Sequence, residues 1–371
     1  MVSLNSAERV INTFEGKQLD RLPIFDIIHN VNLIEYISEE KITSDNAERT
    51  TCKAVSKILD LVRHFTIPDN LEERVITDED GFSWKIEWWT KSLIKKPIKS
   101  LEDVKELMKR DIEKIYRCID NELLCPQVTK HYCQLLVEDC NTPEEVLDKF
   151  KRISNKLGDT VMIAPESLAG IYIALTRYGF DWFSYMIYDY PDLTLKYMDA
   201  LCDYELFRVK SFAPSKLTQI ALVSGIPSSN NGPIFSPEFT KKFLFPRIKK
   251  IIEAWKSYGY YVLFFADGSK WTFIDEILSY GADGIDPCEP LAGMNVKEFR
   301  DKYPDYVIGS MIDCQNLLPF GTPDDVSKAT LKAIKDSGGF KALIGSTSEI
   351  HPKVKLENAL AMYDTARNYK I

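Results

Sequence analysis

Residues 261–268 read YVLFFADG, and residues 284–290 read GIDPCEP. Each stretch begins with a short apolar run, and each run is followed by a carboxylate, Asp267 in the first stretch and Glu289 in the second. Runs that are apolar throughout, without polar alternation, are typical of parallel strands buried on both faces. The two stretches therefore predict parallel strands whose acidic ends meet at one edge of a sheet.

The same pattern recurs along the chain, with further apolar runs at residues 24–28, 161–164, 218–223, 306–309 and 342–345. Capped helices are predicted between the runs, because Ser236-Pro237-Glu238 and Thr322-Pro323-Asp324 each place a proline directly after an N-cap residue. This alternation predicts βαβ units, which close into a barrel or form an open doubly wound sheet. From residue 160 onward no linker or repeat interrupts the alternation. A barrel with insertions can use this much chain as one unit, so we expect one domain over residues 1–371, with a helical insertion at 92–158.

The charge and cysteine content argue against several classes of protein. The net charge is −8, whereas nucleic-acid and anionic-membrane partners select for basic faces. No stretch is apolar enough for a secretory signal or a membrane span, so we expect no membrane partner and a cytoplasmic location. The cysteines include no CxxC pair, and one loose cluster is too widely spaced for structural zinc. That cluster consists of Cys118, Cys125, His131, Cys133 and Cys140.

Polar residues that follow the apolar runs are the candidates for chemistry, because the active sites of parallel barrels lie where strands end. Carboxylates that converge in an apolar cavity shift each other's pKa, as general acid–base catalysis requires. The alternative is a structural role, such as a turn for Asp267, a helix cap, or a hydrogen-bonded histidine. We predict Asp267 and Glu289 as catalytic residues. The predicted substrate-binding residues are His29, Glu166, Ser224, Asp313, Ser348 and His351.

Motifs that occur in order along nearly the whole chain resemble those of a known family. They are Glu8-Arg9-Val10, Asp20-Arg21-Leu22-Pro23, GPIFSPEF at residues 232–239, Asp267-Gly268, and GIDPCEPLAGM at residues 284–294. Together they resemble the uroporphyrinogen decarboxylase superfamily. The resemblance implies an α/β fold of the (β/α)₈ TIM-barrel type, a single domain with helical N-terminal additions. Its cavity would open at the C-terminal ends of the strands.

The resemblance also distinguishes between the reactions of this superfamily. The porphyrinogen decarboxylases carry two arginines in an Arg-Gln-Ala-Gly-Arg segment after the first proline, whereas Pro23 is followed here by IFDIIHN. A substrate rich in carboxylates would then lack its counter-charges. Residues 29–36, Asp80-Gly81-Phe82 and Trp88-Trp89-Thr90 are instead similar to the corrinoid-dependent, O-demethylase-type methyltransferases. These aromatic residues suit a pocket for a methoxyaromatic compound, or they simply fill the cavity mouth.

This resemblance implies a cofactor and a partner. A methyl group would pass from a small methylated substrate, a methoxyaromatic compound, to a corrinoid (cobalamin). A separate corrinoid protein would carry the cofactor, because this chain lacks the Asp-x-His-x-x-Gly motif that binds it. Zinc is not expected, since Phe265-Ala266-Asp267 and Ser346-Thr347-Ser348 replace the His-x-Cys and Cys ligands of the zinc-dependent members. Asp267, Glu289 and His351 are acceptable ligand types for another metal.

Asp267 or Glu289 is the predicted general acid, because a phenolate leaving group must be protonated or polarised while the methyl carbon is attacked. Two other hypotheses stay open. One is a lyase, a decarboxylase of a non-porphyrin acid, for which we would expect more basic residues at strand ends than Lys270. The other is a non-catalytic binder of small molecules.

Overall fold

Parallel strands and the helices that connect them form an α/β fold in the structure, a computed structural model that describes residues 3–63, 66–129 and 139–371. Two members of the cysteine cluster, His131 and Cys133, lie outside the described residues. A search of the described helices finds none long and apolar enough to cross a membrane.

At the start of most of the longer helices, a side chain accepts a hydrogen bond from a free backbone N–H of the first turn, or a proline, which has no N–H, occupies that turn. The predicted helix start at Ser100 is confirmed, because its hydroxyl accepts from the amide of Asp103 in a reciprocal capping box. The α-helices are α1 (Ser6–Glu15), α2 (Val31–Ser38), α3 (Ala47–Ile58), α4 (Leu101–Asp120), α5 (Pro126–Thr129), α6 (Pro143–Leu157), α7 (Ile171–Tyr178), α8 (Phe180–Asp189), α9 (Pro191–Phe212), α10 (Pro237–Phe239), α11 (Phe245–Ser257), α12 (Ile274–Ser279), α13 (Val296–Lys302), α14 (Leu317–Phe320), α15 (Pro323–Asp336) and α16 (Leu356–Asn368).

The strands form two parallel sheets and two small antiparallel ones. They are β1 (Phe25–Asp26), β2 (Leu61–Val62), β3 (Arg74–Thr77), β4 (Ser83–Glu87), β5 (Thr90–Lys95), β6 (Val161–Met162), β7 (Ser167–Leu168), β8 (Ile220–Ser224), β9 (Ser228–Ser229), β10 (Gly232–Pro233), β11 (Tyr261–Phe265), β12 (Gly284–Asp286), β13 (Val307–Gly309) and β14 (Ala342–Leu343). The parallel sheets have the orders β1-β2-β6 and β14-β13-β12-β11-β8-β7.

Backbone hydrogen bonds connect the two parallel sheets at both edges. Ile24, just before β1, forms a parallel bridge with Ile344, just after β14. The amide of Phe25 donates to the carbonyl of Ile344 at 2.8 Å. On the other side, the amide of Ala164, after β6, donates to the carbonyl of Ile220 in β8 at 2.9 Å. Because all these pairings are parallel, the carboxyl ends of the strands lie on one side of the fold.

Each apolar run contains a parallel strand, so the predicted strands are confirmed in position and direction. Their ends differ: β1 covers only Phe25–Asp26 of the run 24–28, and β8 extends to Ser224 instead of ending at residue 223. The sequence pattern does not predict β2. Its two residues, Leu61 and Val62, follow α3 too closely to form a separate apolar run.

An antiparallel sheet of β3, β4 and β5 follows β2 and is also absent from the sequence-based expectation. The helical insertion expected at 92–158 does contain α4, α5 and α6 in its described part. Its first residues, however, belong to β5, where Leu93 pairs with Trp84 across the sheet. Residues 130–138 of the insertion lie outside the described residues. The organisation of residues 1–371 as one domain stays a prediction.

A compact cluster of apolar side chains packs on one face of the parallel strands. Alternate residues of a strand contribute to it, such as Leu263 and Phe265 of β11, and Val10 and Phe14 of α1 also belong to it. Asp286 of β12 is the lateral partner of Phe265. Side chains that are lateral partners in neighbouring strands point to the same face. The carboxylate of Asp286 therefore shares the face of this cluster.

The N-terminal motif residues form a buried ionic network at the amino ends of the strands. Asp60, which precedes β2 and is 1% exposed, accepts hydrogen bonds from Arg9 at 2.7 Å and from Arg21 at 2.6 and 3.0 Å. Arg9 also pairs with Asp20 at 2.8 Å. The amide of Ile24 donates to Asp60 at 2.8 Å. These contacts give Arg9 and Asp20-Arg21 a structural role on the side opposite the strand ends.

Candidate functional site

Charged and polar side chains collect where the parallel strands end, as the sequence predicts. Interactions between their charges connect residues from several different strands, including Asp267 with Asp286, Glu289 and Glu349. We call this group the strand-end site. Its members are Arg63, Glu166, Ser224, Asp267, Lys270, Asp286, Glu289 and Glu349.

A buried ion pair forms one side of the strand-end site. The guanidinium of Arg63 donates to both carboxylate oxygens of Glu166, at 2.9–3.2 Å, and both side chains are less than a tenth exposed. The hydroxyl of Ser224 donates to the same carboxylate at 3.0 Å. The guanidinium also lies 3.6 Å from the centre of the Phe265 ring. The two predicted residues Glu166 and Ser224 are thus brought together around a cation.

Asp286 is the most deeply buried carboxylate of the strand-end site. It is 2% exposed, and no donor among the described residues reaches its Oδ1 oxygen. Burial raises the pKa of this carboxyl to about 6. A side-chain hydrogen bond with Ser310 and the positive charges of Arg63 and Lys270 oppose this increase. The nearby charge of Asp267 also raises the pKa. A carboxyl whose pKa lies this close to neutrality can work either as an acid or as an anion.

The turn after β11 holds the two carboxylates that we predict to be catalytic. Asp267 is exposed at the tip of this turn. The amide of Gly268 donates to Glu289, whose side chain is nearly buried. Gly268 has a φ of +75°, and a Cβ atom there would lie 2.3 Å from the carbonyl oxygen of Ser229. The backbone turn, and with it the position of Glu289, therefore depends on glycine.

Lys270 holds the same turn from beneath. Its side chain is completely buried, and its ammonium donates to the carbonyl of Gly268 at 3.0 Å. Burial lowers the pKa of Lys270, while the charges of Glu289, Asp267 and Asp286 oppose this effect. Burial raises the pKa of Glu289, against the hydrogen bond from Gly268. Lys270 therefore acts within the protein and offers no exposed cation to a ligand.

Gly268→Ala is expected to lower the free energy of unfolding by about 1–3 kcal/mol more than Gly259→Ala does. Gly259 is a matched control, because its φ of +74° imposes the same backbone strain but no atom lies within 4 Å of its Cβ position. The difference isolates the clash with Ser229. Urea unfolding of both variants measures it, and equal losses would show that the close approach at Gly268 has no energetic weight.

His29 lies beneath two tryptophans from the β4–β5 turn. Its ring centre is 5.9 Å from that of Trp88 and 6.0 Å from that of Trp89. The Nε2 atom of His29 is 2.8 Å from the hydroxyl of Thr66, and its Nδ1 atom is 3.8 Å from Glu349. Burial lowers the pKa of His29 to about 3, helped by the charge of Arg63, so the ring is neutral. Trp88 and Trp89, two of the aromatic residues singled out in the sequence, thus lie next to His29, whose neighbour Glu349 belongs to the strand-end site.

The remaining predicted residues have partners that favour structural roles. Both ring nitrogens of His351 bond to backbone groups: Nε2 lies 2.9 Å from the carbonyl of Cys314, and the amide of Lys353 donates to Nδ1 at 3.2 Å. Asp313 accepts from three backbone amides, at 2.8–3.2 Å, at the start of α14. The hydroxyl of Ser348 donates to Glu349 at 3.4 Å, at the rim of the strand-end site. Substrate binding by these residues stays a prediction.

Four residues of the strand-end site, Arg63, Lys270, Asp286 and Glu349, are missing from the predicted set of catalytic and substrate-binding residues. Arg63 follows β2, the strand that the pattern does not reveal, and this explains its absence. Asp286 and Glu349 occur at or after the ends of apolar runs, as the selected residues do, but the pattern alone does not single them out. Tyr172 of α7 also lies near the site, since the charges of Asp267 and Glu166 and burial raise its pKa. No local pattern marks this tyrosine.

The described residues do not fit the zinc site of related methyltransferases. Phe265, at the expected histidine position, packs its ring under a guanidinium, and Ala266 offers no ligand atom. No group of three or more His, Cys, Asp or Glu among the described residues is arranged to hold a metal ion. His351, the nitrogen ligand considered for another metal, has both nitrogens bonded to backbone.

Comparisons with known proteins identify the family of this chain and a solved structure with a similar fold. A sequence model of the uroporphyrinogen decarboxylase (URO-D) family matches residues 125–369, more than half of the chain. No curated protein sequence matches the chain. Among solved structures, a methyltransferase from Methanosarcina mazei is similar in fold, with a TM-score of 0.65 over 98% of this chain and 99% of that chain, at 15% identity. The extent of the family match shows that this chain belongs to the uroporphyrinogen decarboxylase family.

Proposed function

We propose that this chain is a methyltransferase that moves a methyl group from a small methylated compound to a corrinoid carried by a partner protein. The observation that carries the proposal is the strand-end site itself, where buried carboxylates collect and where the neutral His29, 3.8 Å from Glu349, lies about 6 Å from the rings of two tryptophans. Family membership and the likeness in fold to a methyltransferase support it. Methoxyaromatic compounds are the methyl donors that the sequence resemblance implies.

We infer that the two parallel sheets are parts of one closed (β/α)₈ barrel. The sheets together contain eight strands when β6 and β7 are counted as one interrupted strand. The bridge between Ile24 and Ile344 and the hydrogen bond from Ala164 to Ile220 support closure at both edges. In such a barrel the strand-end site would form the floor of the cavity, the usual place for catalysis in this fold.

The residues of this chain would bind and orient the methyl donor. When bound, the corrinoid supplies the nucleophile that accepts the methyl group. Trp88 and Trp89 would cover the donor and exclude water, and the turn at Gly268 would hold Glu289 against it. For a methoxy donor, one carboxyl must also deliver a proton to the leaving oxygen. We assign that role to Glu289 or Asp267, as the sequence predicts, or to the buried Asp286.

The contacts of the basic residues do not favour the lyase hypothesis. Decarboxylation of an organic acid is helped by a cation that binds the substrate carboxylate. The cation of Arg63 is already engaged by Glu166, and the ammonium of Lys270 is buried beneath a turn. Both positive charges thus act on groups of the protein.

The proposal predicts methyl transfer to reduced cobalamin from at least one compound in a panel of methoxyarenes and methylated ammonium compounds. The change in cobalt absorbance reports the transfer, and a reaction without protein provides the background rate. Binding of panel compounds without any methylation of cobalamin, with free cofactor or with added corrinoid protein, would contradict the proposal. That result would favour the non-catalytic binder.

A further inference from the structure

The strand-end site has an excess of negative charge. Its acidic members come from different strand ends, and the charge of Asp267 raises the pKa of Asp286, Glu289 and Glu349. Neighbouring carboxylates repel one another unless a cation or a proton compensates for their charge. Basic side chains are fewer: the site contains only Arg63 and Lys270 among the described residues. A ligand that entered this site would therefore meet a negative potential.

Both basic side chains are engaged by groups of the protein, so neither presents its charge to a ligand in the site. Arg63 is held by the carboxylate of Glu166 at 2.9 Å and lies over the ring of Phe265. The side chain of Lys270 is fully buried, and its ammonium donates to the carbonyl of Gly268. The charges of Arg63 and Lys270 offset that of Asp286 only in part, because burial still raises its pKa to about 6.

Asp286 adds an independent indication of a ligand. Its Oδ1 oxygen receives no hydrogen bond from any described residue, although the side chain is only 2% exposed. Its position beside Phe265 places the carboxylate on the inner face of the strands. A buried, ionisable oxygen without a donor normally has a partner that the protein itself does not supply.

Aromatic rings provide the other half of a cation site. The rings of Trp88 and Trp89 lie 5.9 and 6.0 Å from that of His29, and burial together with the charge of Asp267 raises the pKa of Tyr172. Carboxylates together with tryptophan and tyrosine faces are the groups that recognise alkylated ammonium ions. A divalent metal would instead need a group of three or more ligands, and the described residues contain none.

We propose that the strand-end site binds an organic cation and that the methyl donor is a methylated ammonium compound. This inference rests on the proposed function, whose substrate class it specifies. In the transfer, the bond between the methyl carbon and nitrogen breaks while a bond forms from that carbon to the nucleophilic acceptor. The electron pair of the broken bond stays on nitrogen. A neutral amine leaves, so this donor needs no general acid, and the carboxylate serves to bind the cationic donor.

The first test compares the binding of choline with that of its uncharged analogue in which carbon replaces nitrogen. By calorimetry, we expect the wild-type protein to bind choline about tenfold or more tightly than the analogue. Asp286→Asn should remove most of this preference and leave the affinity for the analogue unchanged. Asp324→Asn, at an exposed position in α15, is the matched control and should behave as wild type.

A second measurement needs no variant. The pKa of Asp286 is raised to about 6, with Arg63, Lys270, Asp267 and Ser310 as its neighbours. Choline binds the ionised form, so its affinity should rise about tenfold from pH 5 to pH 7, as the ionised fraction rises. A carboxyl that acts as a general acid on a methoxy donor would produce the opposite trend in rate.

Several outcomes would overturn the inference: equal affinity for choline and its analogue, no binding of any ammonium compound, or displacement of choline by Mg²⁺ or Ca²⁺. Its failure is distinguishable from that of the proposed function. Methyl transfer from methoxyarenes alone would refute the cationic donor and keep the methyltransferase. Selective choline binding without transfer from any donor would refute the methyltransferase and keep the cation site.

Discussion

Arg63→Met is expected to lower the free energy of unfolding by about 3–5 kcal/mol. The substitution removes the guanidinium that donates to both oxygens of the buried Glu166 carboxylate. It also removes the contact of the guanidinium with the Phe265 ring. A buried charge that loses its partner retains the full penalty of desolvation, and this penalty dominates the expected loss.

The double variant Arg63→Met/Glu166→Gln should recover much of this loss, because it removes both buried charges together. Arg49→Met is the matched control, since Arg49 pairs with Glu40 at the surface and is 62% exposed. It should change the stability by about 0.5 kcal/mol or less. Urea unfolding at pH 7 measures all three variants. A double variant less stable than Arg63→Met would show that the carboxylate of Glu166 is stabilised by groups other than Arg63.

The predictable part of the fold is local in origin. An apolar run such as residues 261–265 specifies a buried strand, and the capping box at Ser100 specifies a helix start, without knowledge of the rest of the chain. β2 has no such local signal, because its two apolar residues follow a helix directly. Arg63 cannot be recognised as a site residue without that strand. Because the sequence pattern does not predict β2, it does not identify Arg63 either.

The direction of side chains limits the prediction of the site in a similar way. Asp267 and Asp286 both occur at the end of an apolar run, but one is exposed and the other is 2% exposed. The difference follows from the register, since Asp286 pairs laterally with the inward-facing Phe265. Likewise, the sequence identifies His351 as a candidate but cannot show that backbone groups occupy both of its nitrogens. Register and backbone contacts arise only from tertiary structure.

The N-terminal motif, which contributes to the family resemblance, lies apart from the residues that we propose for chemistry. Arg9 and Asp20-Arg21 belong to the segment that resembles the family, yet they lie at the amino ends of the strands, away from the strand-end site. Their shared partner is Asp60. In parallel barrels, residues at the amino ends generally serve stability, whereas those at the carboxyl ends serve chemistry. A substitution in this N-terminal network should therefore change the stability of the protein and leave ligand binding unchanged.

Asp60→Asn is expected to lower the free energy of unfolding by about 3–5 kcal/mol. Asp60 is 1% exposed and accepts from Arg9, from Arg21 and from the amide of Ile24. The asparagine amide removes the negative charge and places two donors where acceptors are needed. Arg9 keeps its pair with Asp20, but Arg21 loses the one carboxylate that it contacts among the described residues. A buried guanidinium without a counter-charge accounts for most of the loss.

The same variant should bind choline with the affinity of wild type at temperatures where it remains folded, because Asp60 lies at the opposite ends of the strands from Asp286. Urea unfolding and calorimetry on one preparation measure the two quantities, and Asp324→Asn, 73% exposed in its side chain, serves again as control. Weakened binding with unchanged stability would place the N-terminal network in the ligand site. Lower stability with unchanged binding would instead explain why Arg9 and Asp20-Arg21 occur in a chain whose chemistry takes place at the other end of the strands.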